Sequence, residues 1–437
     1  MPIGQLLVRM SIPMMISFFI QALYNTVDAM FVAKISEDAL TAVSIAFPVQ
    51  QFMTAIAVGT GVSVNALVPR YLGQGDPEKS KKIANVAVFL SCCYCVVFLL
   101  VGLFLIRPYY TLQTDIPTIV DAGVDYLSIV CVVCAGAFFG QNFEKLLVAT
   151  GNSFCSMAAQ ATGAIFNIIF DPLLIFGVGP FPEMGIRGAA WATVLGQILA
   201  ALVALLLLMK KEKTIRLSLR KMLPNGVILK EMFSIAVPSM LTVGSTSAMS
   251  FCMNQIFLAF STTATAVYGI WMKLQNFAFM PCFGMNNGTI PIISYNYGAG
   301  KTSRVRQVIF LALKLAVSYM TLLVVVFELI PIPLLRMFSA SDNMMDIGII
   351  ALRVCSLSLP FGAASVILSS SFQSLGRSRY TLLVNLCRQL FFIVPLAWAL
   401  SLTGNLNLVW LSSPLAEILA LLVALYFWRR IRTRIPA

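Results

Sequence analysis

Two aspartates lie inside long runs of apolar residues, where an ionised side chain is least expected. Asp28 falls in the run 11–33 and Asp171 in the run 154–178. If these runs are membrane helices, each carboxylate sits about 9 Å inside the outer end of its helix. An acid at that depth costs roughly 3 kcal/mol on insertion scales, and aspartate is too short to reach the interface. Both positions therefore call for a functional explanation.

Two neutral oxygen-bearing side chains are spaced so that they can join these carboxylates. Asn167 precedes Asp171 by four residues, which places both on one helix face. Thr193 lies five residues into the next apolar run, at a similar predicted depth. Two carboxylates, an amide and a hydroxyl suit a small hard cation, or a proton shared between the acids. A buried polar network with only a structural role is the alternative.

The composition requires a bilayer around these residues. Of 437 residues, 59% are hydrophobic and 11% are charged, against about a quarter charged in soluble domains. Apolar stretches near or above the roughly 20 residues that span a membrane recur along the chain, and helices satisfy their backbones in lipid. We predict an all-α polytopic membrane protein with twelve transmembrane helices. They lie at 11–33, 40–68, 83–106, 119–147, 154–178, 188–209, 231–258, 265–292, 307–331, 347–370, 380–402 and 407–428.

The net charge of +13 is explained by Lys and Arg residues concentrated on one side of the membrane. With a cytoplasmic N-terminus, most of the 30 Lys and Arg fall in inner segments. The outer loops hold only Lys34, Arg107, Arg187 and Arg336. The positive-inside rule then places both termini in the cytoplasm, and we expect the chain to lie in the inner (plasma) membrane. We expect no nucleic-acid partner and no signal peptide, since no small-residue cleavage site follows Arg9.

A shift of 225 residues aligns landmarks of the two halves without a gap. Pro13 falls on Pro238, Gly73 and Gly75 on Gly298 and Gly300, and Gly151 and Ser153 on Gly376 and Ser378. This repeat predicts two six-helix lobes of one orientation, at 1–209 and 227–437, related by a pseudo-two-fold axis along the membrane normal. The basic stretch 210–226 would link them. Such paired lobes are common in transporters.

The halves differ in where they place acids. The repeat positions of Asp28 and Asp171 are Met253 and Leu396, so we expect only the first lobe to respond to a coupling ion. Charged residues of the second half are interpreted mainly as interhelical pairs and interior lining. These are Lys273, Glu328, Arg353, Arg388 and Glu417. Cys131 and Cys134 form a CxxC motif, but the chain has no histidine, and we expect both to pack in the apolar interior.

With these residues in view, the chain resembles the multidrug and toxic compound extrusion (MATE) family, nearest its MepA-like and DinF-like members. The resemblance rests on PMMISFFIQALYNTVDAMFVAKI (13–35), NIIFDPLLIFGVGPFPEMGIRGAAWAT (167–193), PIISYNYGAGK (291–301) and SFQSLGRSRYTLLVNLCRQLFFIVPL (371–396). It implies two six-helix bundles around a V-shaped cavity. It also implies that Asp28, Asn167, Asp171 and Thr193 carry proton or sodium coupling, and that the first helix bends at Pro13. A branch of the family has an acid in the seventh helix, and this chain lacks one there.

The expected function is secondary antiport. Small amphipathic, mainly cationic compounds would leave in exchange for H⁺ or Na⁺ by alternating access between the lobes. We expect no enzymatic activity, no cofactor besides the coupling ion, a monomer, and partners limited to the small-molecule substrate and the lipid bilayer. The coupling residues would be the metal ligands if the ion is Na⁺. Residues that could line the substrate path are Gln21, Tyr24, Asn25, Asn254, Lys273, Gln275 and Arg388.

Three other functions fit the sequence less well. A lipid-linked saccharide flippase of the same superfamily would have more helices and a strongly basic cavity. An intramembrane enzyme would need a catalytic motif, and the glycine-containing YLGQGD and NYGAGK read as cytoplasmic turns. A channel would show rings of charge or a carbonyl filter.

Overall fold

The computed structural model describes residues 1–212, 215, 217, 225–338 and 340–432. Across these residues every regular element is a helix, and no strand occurs. Most of the predicted linker 210–226 lies outside the described residues.

The chain divides into two compact units. One, called the N-terminal unit below, is Arg9–Ala236; the other, the C-terminal unit, is Val237–Ala437 together with Met1–Val8. Within the C-terminal unit, Arg304 donates from Nη2 to the carbonyl of Met1 at 3.0 Å, which ties the first residues of the chain to that unit.

The first half of the chain forms eight helices. They are α1 (Ile3–Ala33), α2 (Glu37–Gly73), α3 (Pro77–Phe104), α4 (Ile106–Thr111), α5 (Pro117–Val132), α6 (Ala135–Ala149), α7 (Ser153–Phe176) and α8 (Ile186–Lys211).

The second half repeats this order with more interruptions. Its helices are α9 (Gly226–Leu258), α10 (Thr262–Gly298), α11 (Thr302–Leu329), α12 (Pro331–Arg336), α13 (Asp342–Ser356), α14 (Leu359–Ser374), α15 (Ser378–Leu386), α16 (Ile393–Ser401), α17 (Leu406–Trp410) and α18 (Ser412–Arg432). A π-helical turn, Cys387–Phe392, joins α15 to α16.

The helices have the lengths that a membrane requires. In the described residues nine helical segments are long and apolar enough to cross a bilayer, with α15 through α16 and α17 through α18 each taken as one segment. The pairs α5–α6 and α13–α14, bent by 45° and 43°, would add two more spans. With its 37 residues, α10 is also long enough, although it is less apolar. The predicted fold class, an all-α polytopic membrane protein, is confirmed.

The internal repeat is visible in the backbone. Gly75 and Gly300 end their helices at φ of 77° and 70°, and Gly151 and Gly376 do so at 86° and 73°. After each of the first two glycines, the next residue donates its N–H to a carbonyl five residues back at 2.9 Å. This is the pattern of a glycine C-cap, which needs the left-handed backbone that glycine adopts without strain.

The shift of 225 residues also relates two helix starts. Ser36 caps α2 by accepting from the N–H of Ala39 at 3.0 Å, and Ser261 caps α10 by accepting from that of Ala264 at 3.0 Å. Serine at this position satisfies a backbone donor that a helix start leaves free. The turns that orient the helices are thus specified twice by local sequence.

The two helices that carry most of the predicted site, α7 and α8, approach backbone to backbone. A Cβ atom on Gly163 would lie 2.6 Å from the carbonyl oxygen of Gly196, and one on Gly196 would lie 2.9 Å from that of Gly163. Small residues allow this approach, which gives membrane helices their packing energy. It brings Asn167 and Asp171 of α7 beside Thr193 of α8.

The apolar core of the N-terminal unit holds the C-terminal part of α1 to the same scaffold. Val32 of α1 is fully buried in one cluster with Tyr110, Phe138 and Ala190. The Tyr110 hydroxyl also donates to the carbonyl of Ala42 at 2.7 Å. Because Val32 follows Asp28 by one turn, this packing fixes the segment that presents Asp28.

We expect Gly163→Val to destabilise the protein by roughly 1–3 kcal/mol, since the added atoms overpack the α7–α8 contact. The measurement is the midpoint of thermal unfolding of purified protein in detergent. Gly269→Val is the matched control, because a Cβ on Gly269 of α10 meets nothing within 4 Å. Equal midpoints for both variants would contradict the close packing.

Candidate functional site

The centre of the site is a buried amide that joins two helices. Asn167 and Asp171 are 3% and 0% exposed. Asn167 donates from Nδ2 to Oδ1 of Asp171 at 3.2 Å and to the hydroxyl of Thr193 at 3.4 Å. The first bond runs along α7 and the second crosses to α8. Three of the four predicted coupling residues are therefore brought together.

The fourth predicted residue, Asp28, reaches the same place from α1. Its half-buried carboxyl group approaches that of Asp171 closely enough for the two to form a hydrogen bond once one is protonated. Two ionised carboxylates have no donor between them and repel each other. The geometry is therefore that of a pair that needs a positive charge or a proton.

Three oxygen acceptors at this point are buried and unsatisfied. No donor in the described part of the chain reaches Oδ1 of Asp28, Oδ2 of Asp171 or Oδ1 of Asn167. Buried polar atoms normally have partners, so a converging set without donors needs an explanation. A bound proton, a bound cation or water would provide one.

The sequence did not indicate two of the residues around the site, Glu144 and Tyr126, and it indicated Tyr24 only as a residue that could line the substrate path. Tyr24, one turn before Asp28, lies within electrostatic range of Asp28, Asp171 and Glu144. Tyr126, almost fully buried, lies near both aspartates and accepts a hydrogen bond from Nε2 of Gln50 at 3.1 Å. Glu144 has the same sequence signal as Asp28, an acid inside an apolar run, whereas Tyr126 has none.

Other predicted residues of the N-terminal unit lie along α1. Pro13 is inside this helix, which runs through it from Ile3 to Ala33. Gln21 and Tyr24 are half-buried, and Asn25 is exposed. Their roles in bending and in lining the substrate path remain predictions.

The C-terminal unit contains the predicted interhelical charge pairs. Arg388 contacts Glu417 of α18 at 2.5 Å, and Arg353 contacts Glu328 at 3.7 Å. Interhelical pairing of these four residues is confirmed. Glu417 is buried and Arg388 is half-buried, so the second half also contains an acid in its interior, but one that an arginine neutralises.

A cavity of about 140 Å³ in the C-terminal unit lies beside the buried pair. Among the predicted substrate-lining residues, Gln275 and Arg388 border it, and so does Met253, the repeat equivalent of Asp28. Lys273 is exposed, with its Nζ 6.0 Å from the centre of the Phe338 ring, and Asn254 is also exposed. Neither residue borders this cavity.

The cysteines offer no metal site. All ten are free thiols, and Cys131 and Cys134 are buried where α5 breaks to α6. Over the described residues no group of three or more Cys, Asp or Glu is arranged to hold a metal ion. The oxygen cluster of Asp28, Asn167, Asp171 and Thr193 differs from such a group, since it consists of two acids and two neutral side chains.

Known proteins resemble this chain over nearly its full length. An FAD transporter of Shewanella oneidensis is 26% identical over 98% of this chain and 95% of its own length. The multidrug export protein MepA of Staphylococcus aureus is 24% identical, with 99% and 95% covered. Among solved structures, a multidrug resistance MATE family transporter of the MOP superfamily in an outward-facing conformation has a TM-score of 0.92. It is 25% identical, with 100% of this chain and 97% of that chain covered.

The family model MatE matches both halves of the chain, at residues 13–173 and 238–399. The matched segments begin at Pro13 and Pro238, the first landmark pair of the internal repeat, and the first segment ends just after Asp171. The chain therefore belongs to the MatE family, whose members are multi-pass membrane transporters and not enzymes.

Proposed function

We propose that this protein exports small amphipathic organic compounds in exchange for H⁺ or Na⁺, with Asp28, Asn167, Asp171 and Thr193 as the coupling site. The observation that carries the proposal is the facing pair of buried carboxyl groups, Asp28 and Asp171, with three acceptor oxygens that lack donors.

Electrostatics explains why this pair would couple to a cation. Two like charges close together in an apolar interior destabilise the arrangement that holds them, because neither water nor a counter-charge screens them. A proton or Na⁺ removes the repulsion and stabilises the closed cluster. An arrangement that depends on the bound cation is one of the two states that antiport requires.

The cluster joins three helices, so binding of a cation there would affect the packing of all three. Asp28 belongs to α1, Asn167 and Asp171 to α7, and Thr193 to α8. Prolines interrupt the hydrogen bonding of both α1, at Pro13, and α7, at Pro172, but α7 packs backbone to backbone on α8 at Gly163 and Gly196, so α1 would be the helix that bends. We propose that cation binding changes how α1 packs on α7 and α8, and that this change alternates access to the substrate.

The energy of the coupling ion is sufficient. One charge that crosses a membrane potential of about 150 mV releases about 3.5 kcal/mol. This free energy supports a concentration ratio of a few hundred for an uncharged substrate. One ion per turnover is therefore enough to drive useful export.

The relatives support transport of organic molecules but differ in what they carry. One is described as a multidrug export protein and another as an FAD transporter. We propose that this protein acts as a monomer in the plasma membrane. Both of its termini would lie in the cytoplasm, as the distribution of Lys and Arg predicts.

Asp28→Asn is expected to reduce gradient-driven efflux by roughly 5–150-fold, because it keeps the shape and removes the titratable charge. The measurement is dye efflux from vesicles containing the purified protein, with proton and sodium gradients imposed separately. Asp121→Asn, at an exposed acid paired with Arg107, is the control and should retain full activity. Gradient-driven efflux by Asp28→Asn at the wild-type rate would refute the coupling role.

The same vesicles identify the ion. If the shared site takes a proton, efflux in the wild type should rise as the outside is made more acidic, with no sodium present. If it takes Na⁺, a sodium gradient should drive efflux at equal pH on both sides. In Asp28→Asn both responses should be lost, and a response that survives would place coupling at another site.

Thr193→Ala is expected to weaken cation dependence by about 2–10-fold, less than the aspartate change, because it removes one neutral ligand and one hydrogen bond. Thr193→Ser, which restores the hydroxyl, should recover most of the loss. The measurement is the cation concentration at half-maximal efflux. If the alanine variant matches the wild type, Thr193 is not a ligand.

A further inference from the structure

The start of α9 is held by two side chains from the junction of α2 and α3. Tyr71, in the last turn of α2, donates its hydroxyl to Oε1 of Glu231 in α9 at 2.5 Å. The Lys79 ammonium, from the first turn of α3, lies 4.1 Å from the centre of the Tyr71 ring and within electrostatic range of Glu231. A hydrogen bond to a carboxylate and a cation–π contact thus meet at one tyrosine.

The turn between α2 and α3 fixes Tyr71 and Lys79 relative to each other. Asp76 donates its backbone N–H to the carbonyl of Tyr71 at 2.9 Å, and its Oδ1 accepts from the backbone N–H of Lys79 at 2.9 Å. Gly75, at a φ of 77°, allows the chain to turn between them. The turn therefore presents both side chains to α9 as one rigid group.

The second half uses the same turn to hold the start of α1. The residue that the shift of 225 relates to Lys79 is Arg304, which donates to the carbonyl of Met1 at 3.0 Å. The turn before it has the same backbone bond, from the N–H of Lys301 to the carbonyl of Asn296 at 2.9 Å. In each half, a basic residue at the start of a helix thus reaches the first helix of the other half.

The first helix of each half begins in one compact unit and continues in the other. The division between the units falls at Val8–Arg9 within α1 and at Ala236–Val237 within α9, and both helices are continuous across it. One helix cannot follow both units if their arrangement changes. Alternating access therefore requires that the contact at the helix start opens or that the helix bends.

The chemistry of the contact at α9 favours opening. It is polar, and two of its three members, Lys79 and Glu231, are half-buried, so water can replace the partners that they lose. Contacts of this kind make a small net contribution to stability because their groups are hydrated once they separate. The alternative is a bend at Pro238, which lies just past the division and removes one hydrogen bond of α9.

From these contacts we propose that Tyr71, Lys79 and Glu231 form a latch. It holds the start of α9 on the N-terminal unit in one state of the transport cycle and opens in the other, where water hydrates Glu231 and Lys79 and α9 moves as one helix with the C-terminal unit. This inference goes beyond the proposed function. It rests on the alternating access of that proposal, and it needs no particular coupling ion or substrate.

The first test fixes the latch shut and measures transport. Tyr71→Cys combined with Glu231→Cys provides two thiols that a bis-methanethiosulfonate reagent can bridge across the space of the removed side chains. The bridge should abolish efflux, from vesicles with equal ion concentrations on both sides, of a dye that the wild type transports. A reductant that cleaves the bridge should restore efflux, which also shows that the doubly substituted protein is folded.

The matched control is the same bridge between Arg107→Cys and Asp121→Cys. It replaces an exposed ion pair of 2.9 Å between α4 and α5, two helices of the N-terminal unit. Efflux by this protein should be the same with and without the bridge. The control also reports any effect of the reagent on the ten native cysteines.

The second test needs no transport. Tyr71→Phe removes only the hydroxyl that bonds Glu231, so the latch should open more often and Lys79 should be acylated about 2–10-fold faster. The measurement is residue-resolved mass spectrometry of purified protein in detergent after brief exposure to an amine-reactive reagent. Lys81, paired with Glu78 at 2.6 Å on the same helix, is the internal control and should react at an unchanged rate.

Two results would overturn the latch. Efflux at the unbridged rate, with the bridge between positions 71 and 231 shown to be complete, would mean that the contact persists through the cycle and that α9 bends at Pro238. Equal acylation rates of Lys79 in the wild type and in Tyr71→Phe would mean that the hydrogen bond does not hold the helix. Neither result depends on the outcome for Asp28→Asn, so a failure of the proposed coupling site is distinguishable from a failure of the latch.

Discussion

The N-terminal unit is organised around two carboxyl groups that face each other in an apolar interior. Asp28 and Asp171 cannot both keep their charges there without a counter-charge, because burial removes the water that would screen them. Every other feature of the site follows from this constraint. Asn167 donates from its side-chain nitrogen to both Asp171 and Thr193, and no described donor reaches its side-chain oxygen. The cluster therefore has more acceptors than donors. A proton, a cation or water would supply the partners that these oxygens lack.

The helices α7 and α8, which carry Asn167, Asp171 and Thr193, pack closely on each other, whereas α1, which carries Asp28, is the helix that we propose to bend. The backbones of α7 and α8 meet at Gly163 and Gly196, with no side chain between them, so Asn167, Asp171 and Thr193 hold a fixed relation. Prolines occur in both α1, at Pro13, and α7, at Pro172, but α1 joins the apolar core cluster near its C-terminal end, through Val32. A charge change at the cluster would act on the element that is easiest to displace. This is a physical reason for placing one carboxylate on α1 and the other on α7.

Much of the fold could be predicted from sequence because its signals are local. Helix positions follow from apolar run length, and the repeat follows from glycine and proline landmarks, whose C-caps the structure then shows at Gly75 and Gly300. The pairing of Asn167 with Asp171 follows from a spacing of four residues. What the sequence did not reveal depends on tertiary contact. Tyr126 lies near the aspartates from α5, and Trp410 borders the same cavity as Glu417 from a five-residue helix. No spacing in the sequence indicates either of these contacts.

The two units handle buried acid in opposite ways, although they share one plan. In the N-terminal unit Asp28 and Asp171 face each other, and neither forms a salt bridge with a described Lys or Arg, which is the arrangement on which the proposed cation site rests. In the C-terminal unit Met253 stands at the position equivalent to Asp28, and the buried acid Glu417 comes instead from α18, where Arg388 neutralises it. A neutralised pair does not require an ion. Duplication gave both halves the same helices and turns, and the placement of a few charges gives each half a chemistry of its own.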